Sequence, residues 1–200
     1  MIHPNWVFLS MALGLLGSLR YAHATLLGRV RPNRVTWSLW AAAPLIGFFA
    51  QLDTAVGRPA LLTLSAGVGP LIVLTASLAS RHGTVAITRF DLACGAISVI
   101  ALIVWVGLGQ AALAVLFAVI ADAAGAVPTL RKAWRDPDSE SALFYALVGI
   151  AATITLLTIT AWQPASWAFA GYMLAISVAL TAIIVLRRGR RSAAQASGAN

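Results

Sequence analysis

The sequence predicts an all-α integral membrane protein with seven transmembrane helices, its N-terminus outside and its C-terminus inside. Three observations carry this. Of 200 residues, 60% are hydrophobic and only 10% charged, and the mean hydropathy of +0.87 is far from that of soluble domains. Seven stretches approach the roughly 20 apolar residues that a bilayer-spanning helix needs. Arginine and lysine cluster at alternate ends of those stretches, as the retention of positive charge in short cytoplasmic loops requires.

The first stretch, residues 6–27, is followed by Arg29, Arg31 and Arg34. No positive segment precedes it and Arg20 lies within it, so it reads as a span rather than a cleaved signal despite the small-x-small string Ala22-His23-Ala24. Stretches 36–52 and 60–79 contain Pro44 and Pro70, and the loop between them holds only Arg58. Arg81 and Arg89 flank the link to 89–108, where Arg89 and Asp91 read as an interfacial pair. Stretch 110–127 leads to Arg131, Lys132 and Arg135, and 141–161 carries Thr153, Thr155, Thr158 and Thr160. The last stretch, 166–186, runs into Arg187, Arg188, Arg190 and Arg191 and a tail of small and polar residues that cannot bury a core. Trp6, Trp105, Trp162 and Trp167 fall near outer boundaries and Trp37, Trp40 and Trp134 near inner ones, where amphipathic rings settle.

The chain also repeats. A shift of 105 positions superposes Pro32 on Pro137, Thr36 on Ser141 and Pro59-Ala60 on Pro164-Ala165 without a gap. Three spans end on the side opposite their start, so a fourth, unpaired span lets two such units run in the same direction, the parallel-repeat plan of some transporters. The predicted organisation is a first three-helix repeat at 1–82, a linker helix at 83–109, a second repeat at 110–187 and a disordered basic cytoplasmic tail at 188–200.

Val127-Pro128-Thr129-Leu130-Arg131-Lys132-Ala133-Trp134, followed by Asp138-Ser139-Glu140-Ser141-Ala142-Leu143-Phe144-Tyr145, resembles the PQ-loop pattern of SWEET and SemiSWEET sugar transporters. That pattern has a proline-containing helix end, a basic turn, then a serine and apolar residues opening the next helix. Thr129 replaces the motif's glutamine, and His23 stands in the first repeat where Pro128 stands in the second. Asparagine occurs only at positions 5, 33 and 200, which leaves no counterpart of the sugar-binding asparagines of that family. The string from Pro32 to Trp40 also resembles uncharacterised bacterial membrane proteins. The resemblance implies transport by alternating access, with the solute unidentified.

Two ionisable groups lie within apolar stretches, where insertion scales put the cost of each at roughly 2.5–3.5 kcal/mol. Arg20 is nine positions before Arg29, and Asp122 is nine before Arg131, so both are about 13 Å along a helix from its basic end. A pairing of Arg20 with Asp122 across a two-fold axis would line a central cavity, with His23 one turn beyond Arg20. The alternative is that Arg20 snorkels to the interface and a neighbouring hydroxyl holds Asp122. Pro128 is a candidate hinge near an inner gate, or simply the end of the fifth helix.

Enzymatic signatures are absent: no paired carboxylates at useful spacing, no Walker sequence, no Gly-x-Ser-x-Gly, and no His/Cys cluster for a metal. The lone Cys94 has no such partner, and no cofactor is expected. The net charge of +8 is spread over one membrane face rather than gathered on a soluble surface, which excludes a nucleic-acid partner and points to anionic lipid. The sequence thus reads as a multi-pass protein of the cell membrane, a bacterial inner membrane being expected. Its partners are the lipid bilayer and a small polar solute. A non-transporting scaffold or accessory subunit of the same fold is the alternative, because fold alone does not decide function.

Overall fold

Uninterrupted apolar runs bounded by caps and breakers make helices. The computed structural model describes residues 2–53, 58–80, 85–108, 111–159, 162 and 164–197, and there it contains seven α-helices and no strand. A 3-10 turn, Pro4–Trp6, leads into α1 (Val7–Leu26). That helix ends in a Schellman motif: Gly28 takes φ 69°, a conformation that suits glycine, while Arg29 N donates to Ala24 O and Gly28 N to Thr25 O. α2 (Arg34–Asp53) is capped by Asn33, whose Oδ1 accepts from the amides of Val35 and Thr36. α3 (Arg58–Ala79) follows, and the helix runs through Pro70 as α2 runs through Pro44.

α4 (Arg89–Leu108) opens on a reciprocal cap in which Thr88 N donates to Asp91 Oδ2 at 2.7 Å and Asp91 N to Thr88 Oγ1 at 3.2 Å. Asp91 is therefore a capping residue rather than half of an ion pair with Arg89. α5 (Ala111–Arg135) continues well past Pro128, so this proline does not end the helix. A 3-10 turn, Pro137–Ser139, and the Ser141 cap lead to α6 (Ala142–Thr158). α7 (Pro164–Ser197) starts on a proline, as first helical turns tolerate.

The extent of α7 corrects the expected tail. The helix passes through the four arginines to Ser197 because Arg, Ala and Gln are good helix formers and because the arginines are anchored. Arg188 Nη2 donates to the carbonyls of Pro137 (3.1 Å) and Glu140 (2.7 Å). The Arg187 guanidinium lies 4.7 Å from the centre of the Trp134 ring. Arg81 and His82 in the link before α4, Gln110, and Thr160 lie outside the described residues.

α3 packs between α1 and α2, and α7 packs between α5 and α6. The two groups meet where α1 lies on α6 and α2 lies on α5, while α4 runs along α5 and touches α2. Helix ends keep the 105-residue spacing: Val7 maps to position 112 against a start at Ala111, Asp53 to 158 where α6 stops, and Arg58 to 163 against Pro164.

The basic segments share one end of the bundle. Arg31 N donates to Ser139 O, joining the α1–α2 and α5–α6 turns, and Arg34 reaches Ser77 O at the end of α3. Arg131 sits over Phe90 at the start of α4. Pro4–Leu26 and Trp167–Ser192 are long and apolar enough to cross a bilayer, and Leu64–Ala79 and Ala142–Thr158 are shorter apolar helices.

Candidate functional site

The face of α5 that carries Asp122, Ala126, Thr129 and Ala133 recurs at helical spacing and is buried along its length. It faces the seam between the two helix groups. At its basic end the chain's only lysine meets its only glutamate: Lys132 Nζ stands 2.5 Å from Glu140 Oε1, with side chains 9% and 0% exposed. Glu140 Oε2 accepts from Tyr21 Oη at 2.7 Å and from Tyr145 Oη at 2.9 Å. The lysine also donates to the Arg31 carbonyl. An ion pair taken out of water needs such additional partners to survive, because each ion forfeits several kcal/mol of solvation.

Aromatic rings close around this pair. Tyr21 and Trp37 have centroids 4.7 Å apart, Trp37 and Phe144 5.2 Å, Phe144 and Tyr145 5.0 Å, and Trp37 and Trp40 5.4 Å. Trp37 is fully buried. Beside it, the fully buried hydroxyls of Thr129 on α5 and Thr36 on α2 bond to each other at 3.0 Å. Charge, aromatic packing and a hydroxyl pair together seal the basic end of the seam.

Further along α5 is Asp122, 4% exposed. Tyr172 on α7 donates its hydroxyl to Oδ2 at 2.7 Å, and the Trp40 indole of α2 stands beside the same carboxylate, its buried N–H without a full hydrogen bond. No basic side chain among the described residues forms an ion pair with Asp122.

The predicted pairing of Arg20 with Asp122 is not formed. Among the described residues α1 does not pack on α5. Its buried face is Ser10, Gly17, Ser18, Tyr21 and Thr25, whereas Arg20 and His23 are exposed on the opposite stripe with Leu16, Leu19 and Leu27. Arg20 and His23 do share a face, but it looks outward, and a hydroxyl holds Asp122. Pro128 is fully buried within α5, next to Thr129 and one turn before Lys132. The α6 threonines bond back to their own helix, Thr153 to Gly149 O, Thr155 to Ala151 O and Thr158 to Thr155 O.

Sequence reasoning passed over Glu140, Lys132, Tyr21, Tyr145 and Tyr172. One signal was available: a single lysine and a single glutamate eight residues apart. Tyr21 and Tyr172 carried none, since their partners lie 119 and 50 positions away. A groove of about 580 Å³ between α6 and α7 is lined mostly by Ile150, Val178, Val185 and other apolar groups, with the hydroxyls of Thr153, Ser177 and Thr181 among them. No group of three metal-ligating side chains occurs among the described residues. Comparisons of the chain with protein-family models, curated proteins and solved structures find no match.

Proposed function

We propose that this is a seven-span protein of the cell membrane that moves a small polar solute by alternating access, its two three-helix units rocking about the seam in SWEET-like fashion. The observation that carries this reading is the meeting of equivalent residues. Trp40 and Tyr145 are 105 positions apart with ring centroids 6.5 Å from each other, and Arg31 and Asp136, also 105 apart, form an ion pair. Residues related by a two-fold axis touch only where that axis passes between them, so both pairs favour two units related about one line through the seam. Exchange of α1, α2 and α3 for α5, α6 and α7 also carries the α1–α6 interface into the α5–α2 interface.

A bilayer supports the outward surfaces. Leu16 and Leu19 on α1, Leu78 on α3, Ile97, Ile100 and Ile103 on α4, Ile150 on α6 and Val178 and Val185 on α7 are each at least 50% exposed. Soluble monomers rarely display apolar patches of that extent. The cluster of Lys132, Glu140, Tyr21 and Trp37 is then the closed inner gate, and Asp122 lies in the solute pathway. Pro128, which deprives α5 of one backbone donor at the level of the Thr36–Thr129 contact, is the position where that helix bends most readily.

The Thr36–Thr129 contact allows a test. In a Cys94→Ala background, Thr36→Cys with Thr129→Cys places two thiols across the seam, and oxidation or a bridging mercurial locks the inner end shut. Solutes are first chosen by thermal stabilisation of the purified protein, which only a ligand of the folded state produces. In liposomes, locking should abolish exchange of the stabilising solute and a reductant should restore it. Unchanged exchange in the fully cross-linked protein would reject alternating access, and absence of exchange for every stabilising solute would favour a scaffold.

A further inference from the structure

We propose that Asp122 is the recognition carboxylate for a small organic ammonium carrying an oxygen acceptor, such as an amino alcohol. The proposal rests on the transport reading of the seam and adds the solute's chemistry to it.

Asp122 lies near the middle of a 25-residue helix, about 13 Å from the basic end of α5 at Arg131. It is buried between units, since Tyr172 comes from α7 and Trp40 from α2 across the seam. Its one full side-chain hydrogen bond among the described residues is the Tyr172 donation to Oδ2, and no cation there pairs with the group. The contrast with Glu140 is instructive, because that equally buried carboxylate holds a lysine and two tyrosines. A carboxylate kept from water without a counter-charge recruits one or gives up its own charge.

The surroundings decide which cation suits it. Among the described residues no group of three metal-ligating side chains includes Asp122, whereas a dehydrated divalent ion takes six or more ligands. Aromatic rings gather there: Trp40 stands beside the carboxylate, Tyr172 donates to it, and Phe169 packs against Tyr172 with centroids 6.2 Å apart. Rings around an anion are the setting in which organic ammonium groups bind, through the carboxylate and the π faces together. The Trp40 N–H, buried beside the carboxylate and without a full hydrogen bond, is a donor that an ammonium alone cannot satisfy. A hydroxyl or ether oxygen on the same molecule meets that need, and a neutral polyol leaves the carboxylate uncompensated.

The full-length protein in lipid nanodiscs is titrated with 3-aminopropanol, propylamine, 1,3-propanediol and sodium chloride at constant ionic strength, with thermal midpoint and tryptophan emission as readouts. The expected result is saturable stabilisation by 3-aminopropanol, weaker by propylamine and absent with the diol and sodium. Asp122→Asn should weaken apparent affinity at least tenfold and Tyr172→Phe several-fold, while Arg20→Ala leaves it unchanged. Tyr172→Phe retains the carboxylate and so remains informative if the Asn variant folds poorly. Trp40→Phe should remove the emission change and the preference for the amino alcohol over the amine. Equal stabilisation by the diol, by sodium, or by the amines in Asp122→Asn overturns the assignment. If a neutral solute stabilises and is exchanged in liposomes, this assignment fails while the transport reading stands; if nothing stabilises or exchanges, both fail.

Discussion

Replacing Glu140 by Gln isolates the buried ion pair, because the amide keeps the carboxylate's size and one acceptor for the tyrosines. In the wild-type protein Glu140 is 0% and the Lys132 side chain 9% exposed, with Nζ 2.5 Å from Oε1. Losing one charge leaves the lysine desolvated with the Arg31 carbonyl as its remaining partner, and uncompensated buried charges of this kind cost about 3–5 kcal/mol. Tyr21 and Tyr145 lose the anionic character of their shared acceptor, a change of roughly 1 kcal/mol between charged and neutral hydrogen bonds that is included in this range. The double change Lys132→Met with Glu140→Gln removes the stranded ammonium and should recover more than half of the loss. Reversible unfolding in mixed micelles measures all four corners of the cycle. A single-substitution cost below about 1 kcal/mol, the range of exposed pairs, would show that water reaches the site. Additive losses in the double variant would show that the two residues act separately.

Two glycines should respond oppositely to alanine. A Cβ at Gly67 would lie 2.7 Å from Leu45 Cγ and 3.1 Å from Leu45 N, so α2 and α3 must separate and Gly67→Ala should lose about 1–3 kcal/mol. Gly14 has nothing within 4 Å of its Cβ position, and Gly14→Ala should be neutral or stabilising by up to about 1 kcal/mol; the same unfolding assay separates them. Orientation is tested with single cysteines in Cys94→Ala protein at exposed positions, Asn5 and Trp162 at one end against Ile87 and Asp138 at the basic end. An impermeant thiol reagent should label the first two in intact cells and spare the others, and the reverse pattern would invert the topology.

The helices were legible because their causes are local. Apolar length placed α4 at Arg89–Leu108 as anticipated, and most other ends fell within a few residues. α5 and α7 overran their apolar stretches by 8 and 11 residues. Hydropathy marks where a helix leaves an apolar environment, whereas helix continuation depends on propensity and anchoring, which Arg188 and Arg187 supply through contacts about 50 positions away. Depth along α1 and α5 was readable from helix rise, but facing was not. Arg20 and Tyr21 are adjacent in sequence and about 100° apart around α1, and the tyrosine faces inward. Only the small residues at Ser10, Gly17 and Ser18 hinted at that buried side.

The 105-residue spacing of helix ends is shared more evenly between the two groups than their chemistry. Asp122, Thr129, Lys132, Glu140 and Tyr172 all belong to the second group of helices, and their equivalents 105 positions earlier are Gly17, Ala24, Leu27, Val35 and Gly67. Conversely, Tyr21 and Trp37 of the first group correspond to Ala126 and Ala142. Physical reasons favour this division. A symmetric copy of Glu140 or Asp122 would bring a second carboxylate toward the seam, where like charges in a poorly solvated space oppose ionisation. A Cβ at Gly17 already lies 3.4 Å from the Phe144 ring, leaving no room for a carboxylate there without displacing α6. With the buried charges on one side and Tyr21, Trp37 and Trp40 on the other, Tyr21 can donate across the seam to Glu140 and Trp40 can stand beside Asp122. Two groups of helices with matched spacing are thereby made complementary, packed at the basic end of the seam around an ion pair while Asp122 has no counter-charge among the described residues.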